Sequence, residues 1–188
     1  DLGMADLPGA RGPDLHDVLA GRASPLEAVR DAGPVTILPC GRSIAGARAA
    51  DPSALVDVID TVARQHGRVV IDSPAGMRSD AGLPLLAADA CLLVTQPTRP
   101  AVADAIRVRE LARVIETPLV RVALNMVPPA RFNDDAHREK QLETTLGAPV
   151  VSIPRSPVIS RAHRVGQPVR VLDADSVAAT QFARLARE

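Results

Sequence analysis

The chain has 188 residues, of which 46% are hydrophobic, and its 22 basic side chains are balanced by 22 acidic ones. That length predicts one domain with a full core over residues 1–188. The charge balance argues against a global field drawing it to nucleic acid or an anionic membrane, and an aromatic content of 1%, with neither Trp nor Tyr, argues against a base-stacking surface.

Helix and strand signals then alternate along the chain, the pattern of βαβ units around a mostly parallel sheet. Asp14 precedes an apolar set at Leu15, Val18 and Leu19 closed by Gly21, which predicts a short capped helix. Ser24-Pro25-Leu26-Glu27 predicts a second, with Ser24 as cap, Pro25 in the first turn and an end near Gly33. Val35–Leu38 reads as a buried strand. Asp51-Pro52 repeats the cap-then-proline signal, and Leu55, Val56, Ile59, Val62 and Ala63 form one apolar helical face until Gly67. Arg68–Ile71 is the next strand, ending at Asp72.

Residues 90–95 form another short apolar run, followed by a helix led in by Pro97 and Pro100. Leu119–Asn125 is a strand, about 134–146 a polar helix, and Val150–Ile153 the last strand. Ser156-Pro157 caps a helix that stops at Gly166, and residues from about 175 to 186 close the chain with Val177, Phe182 and Leu185 facing inward. Cys40 and Cys91 lie beside apolar runs and form no C-x-x-C pair, so both read as buried thiols in a reducing, cytoplasmic setting. No apolar run approaches the ~20 residues of a membrane span.

In a parallel sheet, ligands bind outside the carboxyl ends of the strands, which here are Asp72, Thr95, Asn125 and Pro154. A strand-ending Asp72 before Ser-Pro-Ala-Gly can reach a hydrated magnesium ion, while Ala75 and Gly76 turn backbone N–H groups toward an anion. Asn125 can offer a purine edge both a donor and an acceptor. Pro154 and Arg155 end a strand just before a helix cap, where the main chain can meet a base. Each of these residues also suits an ordinary turn.

Taken in order, DLGMADLPG at the start, LHDVLAG at 15–21, ILPCGRS at 37–43, VVIDSPAG at 69–76, DACLLVTQP at 89–97, VALNMVPP at 122–129, VVSIP at 150–154 and GQPV at 166–169 resemble the MinD/ParA group of P-loop ATPases, the MinD-like branch most closely. The resemblance implies an α/β, three-layer, parallel-sheet P-loop NTPase-like fold lacking its N-terminal β-α-β portion, with ATP and Mg2+ as cofactors. It implies that Asp1 orients the attacking water, that Asp72 holds magnesium through water, and that Ala75 and Gly76 sense the γ-phosphate. Asn125, Pro154 and Arg155 would then meet the adenine. Met126 and Arg155 depart from the family pattern, where an Arg and an acidic residue are common.

The larger departure is the phosphate loop, which supplies backbone N–H groups, a Lys and a hydroxyl to the phosphates. Lys140 is the only lysine, and neither the Gly9–Gly12 nor the Gly41–Gly46 stretch carries Gly-Lys-Thr. The chain opens at Asp1 without an initiating methionine, so the expectation is a truncated domain, inactive alone and exposed along two unpaired strand edges. Its parent would be a switch for spatial positioning in cell division or chromosome partitioning, working as an ATP-held homodimer. The alternative is a non-catalytic scaffold or regulator without a phosphate loop. DNA binding by Arg155, Arg161, Arg164 and Arg170 is less favoured at neutral net charge.

Overall fold

The computed structural model describes residues 12–41, 46, 50–73, 82–132 and 136–187, and the chain divides into two units, Asp1–Asp89 and Ala90–Glu188. In the first unit, helix α1 (Leu15–Leu19) starts with a reciprocal capping box. Asp17 donates its N–H to Asp14 Oδ1 at 3.1 Å, and Asp14 donates its own to Asp17 Oδ2 at 3.2 Å. Helix α2 (Pro25–Ala28) repeats the device with Ser24 and Glu27. It ends well before Gly33, because Val29 is extended and β1 (Arg30–Asp31) pairs antiparallel with β2 (Thr36–Ile37). The strand expected at Val35–Leu38 is therefore half of a short hairpin, and Val35 and Thr36 are exposed rather than buried. A hairpin this small has too few side chains to bury a face.

Asp51 accepts from the Ser53 N–H at 3.0 Å and opens a single 3-10 turn, which passes into α3 (Leu55–Ala63). Leu55, Val58 and Val62 are the buried face of α3, and Leu55 and Val58 pack with Leu15, Val18, Leu19, Ala28 and Cys40 in the core of this unit. Ala63 points outward, one position off the expected stripe. Residues 68–73 form no strand ladder among the described residues, and Val70 is 88% exposed, so the expected strand there is not observed. A β-branched run becomes a strand only when a neighbour satisfies its backbone. Helix α4 (Gly82–Leu86) completes the described part of the unit.

The second unit is an α/β layer structure built on a parallel sheet in the order β3 (Cys91–Thr95), β4 (Leu119–Val127), β5 (Val150–Pro154). Between β3 and β4 runs α5 (Arg99–Ile115), capped by Thr98 and ended by Glu116 in the left-handed region at φ 66°. Between β4 and β5 lie α6 (Pro129–Phe132) and α7 (Ala136–Leu146). Beyond β5 come α8 (Pro157–Val165), α9 (Val169–Leu172) and α10 (Val177–Leu185). The helices carry the parallel crossovers, and their apolar sides form the outer layers.

Register fixes which residues share a face. Leu93 pairs with Val122, and Val122 with Val150. These join Leu124, Ala105, Leu142 and Leu146 in one core between the sheet and α5 and α7. On the other face, α10 packs against β5. Its buried residues are Ala178, Ala179 and Gln181, while Val177 is 54% exposed and Phe182 lies at the surface. The inward face is therefore set by small residues, which let the helix approach the strand closely, and not by the Val177, Phe182 and Leu185 stripe that the sequence suggested.

The two outer edges of this sheet are treated differently. Along β5, α7 lends two carboxylates. Val150 donates its N–H to Glu143 Oε1 at 3.2 Å and Ser152 donates its N–H to Glu139 Oε1 at 3.0 Å. Side-chain acceptors thus occupy the N–H groups that would otherwise recruit another strand. Along β3 no ladder partner stands on the outer side among the described residues, and Leu92 and Val94 are 46% and 62% exposed.

Candidate functional site

The carboxyl ends of β3, β4 and β5 lie side by side, and each ends differently. Thr95 is buried and its hydroxyl donates to the Ala101 carbonyl at 3.0 Å, tying β3 to the first turn of α5. That strand end is a structural fastening. Asn125 is not the last residue of its strand, as the sequence reading had it, because β4 continues to Val127.

Between β4 and β5 the register shifts. Leu124 pairs with Ser152 and Val127 with Pro154, so Asn125 and Met126 together face Ile153 alone. This is a β-bulge, which turns side chains away from the regular alternation. Met126 takes φ 59°, in the left-handed region, and its side chain is 45% exposed. The Asn125 Oδ1 accepts the Met126 N–H at 2.9 Å, which fixes the plane of the amide and leaves its NH2 donors for another partner. Sequence reading marked Met126 as unusual but carried no signal for the bulge, since the positive φ falls on a residue that is neither Gly nor Asn.

Pro154 is buried at the end of β5, and the Arg155 N–H donates to the Val127 carbonyl at 2.8 Å. The main chain at Pro154–Arg155 is thereby held against the end of β4, next to the bulge, while the Arg155 side chain is exposed. Ser156 then caps α8, accepting the Val158 N–H at 3.3 Å. The N-termini of α5 and α8 both open at this edge of the sheet, and each adds partial positive charge from its first unpaired N–H groups. An open depression of about 660 Å3 runs beside α8, lined by Pro157, Ile159, Ser160, His163 and Arg164. The arrangement can meet a planar polar ring with the Asn125 amide and a main-chain group.

Asp72 belongs to the first unit, where it is exposed and follows residues 68–71, which form no helix or strand. Asp1, Ala75 and Gly76 lie outside the described residues. Arg161, Arg164 and Arg170 are exposed on α8 and α9, as is Arg155 before them. Among the described residues no group of three or more His, Cys, Asp or Glu side chains is placed to hold a metal ion.

The first unit also holds a pair the sequence did not announce. Cys40 Sγ lies 3.5 Å from His16 Nε2, and both residues are buried. Burial pushes the Cys40 thiol up from its usual range, so it stays protonated and unreactive near neutral pH. Cys91, expected to be buried as well, is half-buried on β3.

No protein-family model matches the chain. It is similar to two uncharacterized ATP-binding proteins of Methanocaldococcus jannaschii. One is 37% identical over 116 residues, which are 61% of this chain and 44% of that protein. The other is 28% identical over 99% of this chain and 72% of its own length. The chain thus spans less than half of the first relative. Among solved structures, it is similar to the septum site-determining protein MinD complexed with Mg-ADP from Pyrococcus horikoshii. That likeness has a TM-score of 0.86 and 27% identity, over 99% of this chain and 79% of the other.

Proposed function

For a chain that is MinD/ParA-like in both fold and sequence, we propose that it forms the larger part of an ATP-binding and ATP-hydrolysing switch used in spatial positioning, cell division or chromosome partitioning. The observation that carries this reading is the carboxyl edge of β4 and β5. There the Asn125 Oδ1 is held by the Met126 N–H within the bulge, and the Arg155 N–H fastens the Pro154–Arg155 main chain to the end of β4. In the proposed site these groups meet the adenine edge. Ala75 and Gly76 face the γ-phosphate, and Asp72 accepts hydrogen bonds from water on a magnesium ion. Asp1 orients the attacking water by accepting a hydrogen bond from its O–H. Magnesium, when bound, neutralises charge that develops on the phosphate oxygens.

The phosphate loop in this reading is supplied by a segment outside the 188 residues, a strand and helix that complete the sheet beside β3. Support comes from the exposed Leu92 and Val94 and from the contrast with the Glu-protected edge of β5. The relatives' greater length is in keeping with it. The whole protein would act as an ATP-held homodimer in the cytoplasm. Among the described residues no helix is long and apolar enough to cross a membrane.

A second reading, a scaffold without catalysis, is favoured by one observation. Lys140 is the only lysine of the 188 residues, and it sits on α7, 3.8 Å from Glu143. The two readings separate on the protein extended upstream to its in-frame start codon. The switch reading expects magnesium-dependent ATP turnover that D72N reduces by about 100-fold, in the range of other lost positioning groups for phosphoryl transfer. Extended protein without turnover, and indifferent to D72N, would leave the scaffold reading.

A further inference from the structure

A second cavity lies at the opposite end of the sheet, with a volume of about 290 Å3 and a lining that includes Arg121, Arg184, Arg187, Glu143 and Val150. Arg121 and Asn125 both sit on β4, four residues apart, so at ~3.3 Å per residue the cavity lies about 13 Å from the strand-end site. It is a separate place.

The charges there do not cancel. Among the described residues, none of the three arginines is in a salt bridge. The Arg121 Nη1 donates to the Arg184 carbonyl at 2.6 Å and to the Leu185 carbonyl at 3.3 Å, and so caps the C-terminal end of α10. That contact satisfies the carbonyls whose partial negative charge would repel an anion. Arg184 donates to the Gln181 Oε1 at 3.0 Å, a neutral partner. Among the described residues, Glu143 is the one carboxylate in the lining. Its Oε1 is spent on the Val150 N–H, and its Oε2 faces Lys140 at 3.8 Å. Three guanidinium groups thus face one carboxylate whose charge is already shared.

We propose that this cavity binds a phosphoryl dianion, either inorganic phosphate or the phosphate of a small monoester or lipid headgroup. Guanidinium groups suit that ligand because they offer paired N–H donors and keep their charge at every physiological pH. The volume holds a phosphate with one small substituent. Both the attraction of the arginines and the opposition of Glu143 double for a dianion, so a lining of net positive charge holds a dianion more strongly than a monovalent carboxylate. This inference stands apart from the ATPase reading.

The test is thermal denaturation of the 188-residue chain in rising phosphate, with chloride keeping the ionic strength constant. Arg121 caps α10, so its replacement can damage folding, and the informative variant is R184Q/R187Q. R107Q, an exposed position on α5 outside the cavity lining, is the control. The proposal expects a saturable rise in melting temperature that R107Q retains and whose half-saturating phosphate concentration increases about tenfold or more in R184Q/R187Q. No saturable rise in the unmodified chain, or the same rise in R184Q/R187Q, overturns it. Flotation with vesicles containing phosphatidic acid, whose headgroup is a phosphomonoester, then identifies the source. Retention that free phosphate displaces assigns the headgroup, and absence of retention assigns a soluble phosphate.

Discussion

The bulge at Asn125–Met126 makes a prediction with a sign that ordinary sites do not share. Met126 holds φ 59°, a conformation that costs an L-residue roughly 1–2 kcal/mol and costs glycine nothing. M126G and M126A lose the same half-exposed side chain beyond Cβ, so their difference isolates the backbone. Glycine recovers the left-handed penalty but loses about 0.5–1 kcal/mol through its freer unfolded state. M126G is therefore expected to be more stable than M126A by about 0.5–1 kcal/mol. The control is Arg113, in the last turns of α5 and mostly exposed, where R113A should exceed R113G by about 0.8–1 kcal/mol. Urea unfolding followed by far-UV circular dichroism measures all four. If M126A equals or exceeds M126G while the Arg113 pair behaves normally, the bulge is not formed as described, and the orientation of the Asn125 amide loses its basis.

Gly41 is packed so closely that an added Cβ would collide with the Asp14 carboxylate and with His16 Nδ1, so G41A should destabilise the first unit by about 1–3 kcal/mol in urea unfolding. A loss below ~0.5 kcal/mol would deny that close approach. E143A removes the acceptor for the buried Val150 N–H and should cost about 1–3 kcal/mol, whereas E143Q, which keeps an acceptor oxygen, should cost less. Equal losses would show that the hydrogen bond is not what matters. The Asp17 carboxylate is held below its usual range by the Arg22 side chain and then by the Asp14 N–H, and the Ser24 and Ser53 groups do the same for Glu27 and Asp51. Because these folded values lie below the unfolded ones, the stability they add is complete above about pH 5.5 and is lost as pH falls through the unfolded and then the folded values. The urea midpoint should fall on acidification over that window, and D17N should flatten part of the fall; a D17N profile parallel to the parent's would contradict this.

Capping chemistry was readable in the sequence wherever it was local. Asp14, Ser24, Asp51, Ser156 and the stop at Gly166 all do what their neighbours in sequence require. The parallel strands β3 and β5 were readable too, because short apolar runs between helices have few alternatives. What escaped depends on partners distant in the chain. Whether Arg68–Ile71 becomes a strand depends on a neighbour to pair with, and β-branching alone does not provide one. The face of α10 depends on how closely β5 approaches, so Ala178 and Ala179 outrank Phe182. At the candidate site, Pro154 was legible as a strand end, whereas Asn125 lies two residues inside β4, in a bulge that arises from a register shift between two strands. Glu139 and Glu143 read simply as polar helix residues until β5 was placed against them.

The central claim is that the carboxyl edge of this sheet binds magnesium-ATP once a phosphate loop stands beside β3. Calorimetric titration of Mg-ATP into the 188-residue chain and into the same chain extended upstream to its in-frame start codon tests it directly. The account predicts no measurable binding by the first and binding by the second, weakened about tenfold or more by N125A. Extended protein that binds no Mg-ATP, or binds it with no loss in N125A, would contradict it.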